Sequence, residues 1–83
     1  MSLLMPSILD LARKSLSSEV RQNLKNAYVC KDTLIYEFSS IYCKMIFDSQ
    51  LQNISKFWEQ SHYSHCFKHF ECRILIPKVK DKQ

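Results

Sequence analysis

Apolar residues recur at helical spacing through most of the chain and predict a mainly α-helical fold. Near the N-terminus, one helical face carries Ile8, Leu11, Ala12 and Leu16. Ser7 can cap this helix, with Asp10 in its first turn. A second apolar stripe, formed by Val20, Leu24, Ala27 and Tyr28, predicts a short amphipathic helix that ends near residue 28.

The middle of the chain fits two kinds of secondary structure. Between residues 33 and 47, a buried helical face would carry Leu34, Ile35, Phe38, Ile41, Tyr42, Met45 and Ile46. The same segment is rich in Ile, Tyr, Phe and Thr, which favour strands. We give the periodicity more weight and predict a helix from its N-cap Asp32 to Phe47. The helical spacing then continues through Leu51, Ile54 and Trp58.

The predicted architecture is a single small domain, or a fragment of a larger one, made of three to four helices. Residues 7–28 form the first helical part, and residues 32–72 form a helical and aromatic core. Residues 73–83 form a basic tail that begins with a short β-prone segment, which Pro77 limits to a sheet edge. We expect Phe57, Trp58, Tyr63, Phe67 and Phe70 to pack in the core rather than to stack on nucleobases.

Composition excludes several classes of function. The 83 residues include no glycine, so the Gly-rich loops that cradle phosphates are absent from the sequence. The missing glycines also disfavour tight hairpins, unless Asn or Asp takes the turn positions. Hydrophobic residues make up 46% of the chain, which is too many for an intrinsically disordered protein. A preorganised catalytic pocket is hard to build at this size, and we predict that the protein is not an enzyme.

Charge and hydropathy narrow the partners and the compartment. The net charge of +4 is scattered along the chain and is dense only in the tail, which does not favour nucleic acid as a partner. No stretch reaches the roughly 18 apolar residues of a membrane span, and no targeting segment is visible. The sequence therefore predicts a cytoplasmic or nuclear protein that does not engage a membrane.

Four cysteines provide the alternative function. Cys30, Cys43, Cys66 and Cys72 could hold a structural zinc ion, and a small basic zinc module could also bind nucleic acid. Cysteine is equally common as a small buried hydrophobic residue. A helix over residues 32–47 would also separate Cys30 from Cys43 by roughly 20 Å. We therefore expect no cofactor and keep structural zinc as the alternative.

One motif points to a specific partner. The segment SILDLARKSL, residues 7–16, resembles the BC box, the elongin B/C-binding helix of SOCS-box and VHL-box proteins. Ser7, Ile8, Ala12 and Leu16 occupy the motif positions, with Ile8 where leucine is usual. Such a helix lies in a groove of its partner, and the small residue permits close approach. The resemblance implies that Ile8, Ala12 and Leu16 contact elongin B/C, with Leu11 shared between partner and core.

A wider resemblance covers residues 7–72. The segments VRQNLKNAYVC, IYCKMIFD and SHCFKHFEC look like the C-terminal region of leucine-rich-repeat substrate receptors of cullin–elongin ubiquitin ligases. Leu24 would be the leucine segment of that region. Cys30 and Cys43 would form its first cysteine pair, and Cys66 and Cys72 its second. The resemblance implies a protein-binding adaptor that recruits elongin B/C and a cullin, which is the function we predict.

Overall fold

The computed structural model describes residues 6–76, and these form an α/β domain. The elements in chain order are α1 (Ile8–Lys14), α2 (Ser18–Arg21), β1 (Leu24–Cys30), β2 (Thr33–Phe38), α3 (Tyr42–Ser49), α4 (Leu51–Glu59) and β3 (His69–Ile74). The strands form one sheet in the order β1-β2-β3, in which β2 is antiparallel to β1 and parallel to β3. The predicted mainly α fold is therefore wrong, because a mixed sheet lies at the centre of the described chain.

The predictions for the Ser7-capped helix and for the helical spacing from Leu51 to Trp58 are confirmed. Ser7 caps α1, and its hydroxyl accepts a hydrogen bond of 3.1 Å from the Asp10 amide. Helix α4 covers the predicted spacing and buries Ile54 and Trp58. An edge strand does form near the predicted β-prone segment, but it spans His69–Ile74 and overlaps that segment only at Arg73 and Ile74. The predicted basic tail lies mostly outside the described residues.

The two middle helices were predicted wrongly. Residues 24–30 form a strand, and residues 33–47 divide into β2 and most of α3. A two-residue turn, Lys31–Asp32, joins β1 to β2, with Cys30 paired to Thr33. Lys31 adopts a φ of 58°, the left-handed conformation that glycine usually takes. The hairpin therefore forms without glycine, at the cost of a left-handed lysine.

The core lies between the sheet and the helices. Central strand β2 directs Leu34, Tyr36 and Phe38 into it, all with no exposed surface. From the helices and the turn after α1, the buried residues are Ala12, Leu16, Val20, Cys43, Phe47, Ile54 and Trp58. The predicted aromatic core is confirmed, since Trp58 and Phe67 are buried and Phe57, Tyr63 and Phe70 pack against them half-buried.

The opposite face of the sheet is mostly polar. Its central residue, Ile35, is only 2% exposed. Two polar pairs lie on the neighbouring positions of this face. The Tyr28 hydroxyl donates to Glu37 at 3.1 Å, and Arg73 Nε lies 2.7 Å from Glu71 Oε2. These polar side chains surround Ile35, so that the described residues expose no large apolar area on this face.

Candidate functional site

The predicted elongin-binding residues lie on the inward side of α1 and, for Leu16, in the turn that follows it. Ala12 has no exposed surface and Leu16 is 3% exposed, while Ile8 and Leu11 are half-buried against the same core. Leu11 also lines a shallow cavity of about 340 Å³, together with Phe57 and Tyr63. In this structure the small side chain of Ala12 lets α1 approach the chain's own sheet, against which it packs at β1.

A buried hydrogen-bond relay holds α1 in place. Trp58 Nε1 donates to the Tyr36 hydroxyl at 2.8 Å, and that hydroxyl lies 2.6 Å from Ser15 Oγ. Ser15 in turn donates to the Ala12 carbonyl at 2.6 Å, so the Tyr36 proton is directed to Ser15. The relay therefore connects α4, β2 and the end of α1 through one phenol. Burial raises the pKa of Tyr36 to about 12, although the hydrogen bond from Trp58 lowers it.

We expect Tyr36→Phe to lower the free energy of unfolding by about 1–3 kcal/mol. The substitution keeps the ring but leaves the buried Trp58 N–H without its acceptor. Tyr28→Phe is the matched control, because its hydroxyl bonds only at the partly exposed outer face. Urea denaturation followed by circular dichroism measures both variants, and an equal loss in the two would contradict the relay.

The pH dependence of stability gives a second comparison of the wild type with Tyr36→Phe. The Tyr36 phenol stays neutral in the folded chain up to about pH 12, whereas in the unfolded chain it ionises near pH 10. Its contribution to stability is therefore complete below pH 10 and is lost as the pH rises towards 12. The stability advantage of the wild type over Tyr36→Phe should shrink across that range, by up to about 1.4 kcal/mol per pH unit.

The four cysteines do not converge on one point of the fold. Cys30 is exposed at the end of β1, and Cys66 is exposed in the segment before β3. Cys43 is buried on α3 and Cys72 is half-buried on β3, the strand against which α3 packs. Burial raises the pKa of Cys72 to about 11, with Lys44 lowering it and Asp48 and Cys43 raising it further.

The geometry brings no predicted metal set together. Within residues 6–76, no three His, Cys, Asp or Glu side chains are placed to hold one ion. All three histidines are exposed, and residues 60–68 form turns rather than a helix that would align them. Zinc binding through Cys30, Cys43, Cys66 and Cys72 thus stays a prediction, as does the expectation that no cofactor is bound.

An exposed apolar surface on α3 was missed by the sequence analysis. Ile41, Tyr42 and Met45 are 65%, 74% and 72% exposed. They lie at positions i, i+1 and i+4, at the start of α3 and on the side opposite Cys43 and Phe47. The Lys44–Asp48 ion pair, at 3.5 Å, lies beside them. We call Ile41, Tyr42 and Met45 the α3 patch.

The sequence contained a signal for this patch. A helix that begins near Tyr42 and buries the i, i+4 pair Cys43 and Phe47 must turn Met45 outward. The prediction of one helix over residues 32–47 instead assigned Ile41, Tyr42 and Met45 to the buried face. Their exposure corrects that assignment.

Comparisons with known proteins add no family. Among the described helices, none has the length and apolar character that crossing a bilayer requires. No family model, curated protein or solved structure matches the chain significantly. The BC-box resemblance therefore rests on the residues alone, and the surface geometry is the main guide to function.

Proposed function

We propose that this chain is a protein-binding module that contacts its partner through the α3 patch. The observation that carries the proposal is the exposure of three large apolar side chains on one helical turn. Isolated apolar residues are ordinary on protein surfaces, but a contiguous group with a polar rim is typical of interaction sites. Lys44 and Asp48 provide such a rim beside the patch.

The spacing defines the kind of partner. Residues at i, i+1 and i+4 project from one side of a helix, which suits insertion into an apolar groove of another protein. Tyr42 supplies an aromatic anchor with a polar hydroxyl, a residue type enriched at interface hot spots. The partner we propose is accordingly a protein with an apolar groove that accepts about one helical turn.

Elongin B/C remains a predicted partner, with α1 as its site. The half-buried Ile8 and Leu11 leave part of the motif accessible. Ala12 and Leu16, however, would have to leave the core before they could contact a groove on elongin. The α3 patch needs no such rearrangement, and we therefore prefer it as the binding surface.

In the test, the wild type and its variants are immobilised separately, and the proteins that each one retains from solution are compared. We expect Ile41→Asp/Met45→Asp to lose a partner that the wild type retains, with an affinity at least about tenfold lower when that partner is purified and titrated. Lys56→Asp, at an exposed position on α4, is the control and should retain it. Circular dichroism should show all three proteins folded.

Two results would contradict the α3 patch. One is retention of every partner by Ile41→Asp/Met45→Asp. The other is binding of purified elongin B/C that survives this double variant but is lost in Ile8→Ala, which would place the site on α1. The second result would keep the protein-binding function and support the BC box instead.

A further inference from the structure

The outer edge of β3 has peptide groups that pair with no strand of the described residues. The His69 amide donates to the Asp32 carbonyl at 3.1 Å, and the Leu75 amide donates to the Phe38 carbonyl at 2.8 Å. Odd-numbered residues of β3 therefore direct their amides towards β2, and the amides of residues 70, 72 and 74 point away from the sheet. No described strand pairs with that side of β3.

The two edges of the sheet differ in their protection. Edge strand β1 carries an irregularity at Lys25, where an extra residue interrupts the ladder between Leu24 and Asn26. Bulges and lysines of this kind discourage pairing with another strand. Strand β3 pairs with β2 over six consecutive residues without a bulge. It therefore presents a regular edge that another strand could extend.

We propose that β3 pairs antiparallel with β3 of a second copy of this chain, about a twofold axis at Cys72. This register uses all three outward-pointing residues of each strand, which form hydrogen-bonded pairs. It places Glu71 of each copy opposite Arg73 of the other. Such non-hydrogen-bonded positions bring Cα atoms within about 4.5 Å, where opposite charges attract.

Charge complementarity selects this occupant. Glu71 and Arg73 flank the axis on the outer face, where they already form an ion pair within one strand. In the dimer, Glu71 of each copy can pair with Arg73 of the other. On the inner face, half-buried Phe70 would lie opposite Ile74 and gain cover. A second copy thus satisfies polar and apolar positions with the same register.

Helix α3 repeats the complementarity above the sheet. It packs on β3 and runs antiparallel to it. The start of α3 follows Phe38, whose carbonyl accepts from the Leu75 amide after the end of β3. The end of α3 precedes Leu51, which lines a cavity with His69 at the start of β3. Lys44 and Asp48 lie one turn apart on this helix and form an ion pair of 3.5 Å. A twofold axis at Cys72 would therefore bring Lys44 of one copy towards Asp48 of the other.

Charge reversal tests the register in the full chain. We expect sedimentation equilibrium to give twice the 9.9 kDa mass of the chain, with dissociation on dilution. Glu71→Arg should weaken the dimer at least about tenfold, because it places two arginines opposite one another in both pairs. Glu71→Arg/Arg73→Glu should restore the dimer, since opposite charges face each other again. Lys25→Glu, on the β1 edge, should leave the mass unchanged.

The proposal fails under either of two outcomes. A single-chain mass at every concentration overturns it. If hydrogen exchange then finds the amides of residues 70, 72 and 74 protected in that monomer, another part of the same chain covers the edge. A dimer that is equally stable in Glu71→Arg and in the double variant overturns the register. Neither outcome bears on the α3 patch, because partner capture by that patch is measured separately.

Discussion

Phe47→Ala is expected to lower the free energy of unfolding by about 3–5 kcal/mol, the largest effect of any substitution considered. Phe47 is 1% exposed, and its ring centroid lies 4.9 Å from that of Tyr36 and 6.0 Å from that of Phe38. Truncation would remove the contact between α3 and the central strand and leave a cavity. Because a small domain is stable by only about 5–15 kcal/mol, much of its stability would be lost.

Met45→Ala is the matched control on the same helix. Its side chain is 72% exposed, so the substitution should change the free energy of unfolding by less than about 0.5 kcal/mol. Urea denaturation followed by circular dichroism compares the two variants. Equal losses would mean that α3 faces the core differently from the structure, and would remove the basis for the α3 patch.

Ala12→Leu is expected to lower the free energy of unfolding by about 1–3 kcal/mol. If Ala12 lay on an exposed binding helix, leucine would cost almost nothing, because its helix propensity is close to that of alanine. Ala12 instead has no exposed surface, and three extra carbon atoms would push α1 away from the sheet. The same denaturation experiment distinguishes these cases.

Lys14→Leu makes the same kind of change on the exposed side of α1 and should cost only a few tenths of a kcal/mol. If Ala12→Leu proved as mild as this control, α1 would not be seated on the core. The BC-box hypothesis would then regain its structural basis. Since Ala12→Leu is expected to disturb folding, elongin binding is better tested with Ile8→Ala.

Local signals in the sequence were sufficient for the two helices with complete patterns. The Ser7 cap depends on residues three positions apart, and α4 carries buried Ile54 and Trp58 at the spacing of one turn. Both features are set within a few residues. Their prediction therefore required no knowledge of the tertiary structure.

Strand β1 imitated a helix because of its irregularity. The extra residue at Lys25 shifts the alternation, so that Leu24 and Ala27 both face the core although they are three residues apart. That separation is also the spacing of neighbours on a helix. The period-two signal of a half-buried strand was consequently lost at the point where it was needed.

Strand β2 was hidden by its burial on both faces. Leu34, Ile35 and Tyr36 are consecutive and all buried, so no polar residue alternates with them. A short apolar run of this kind cannot be distinguished from a buried helix by periodicity alone. The α3 patch was missed for the same reason, because extending one helix through β2 gave the wrong phase for Met45.

The parallel pairing of β2 with β3 also has a consequence for synthesis. Thr33 pairs with His69, so the central strand is complete on both sides only after both intervening helices and β3 have been made. Long-range pairings of this kind form late, because the entropy cost of closing the loop comes before the stabilising contacts are made. A nascent chain that ends before β3 would leave β2 with an open edge and Leu34 less covered. Truncation from the C-terminal side should therefore favour aggregation over folding.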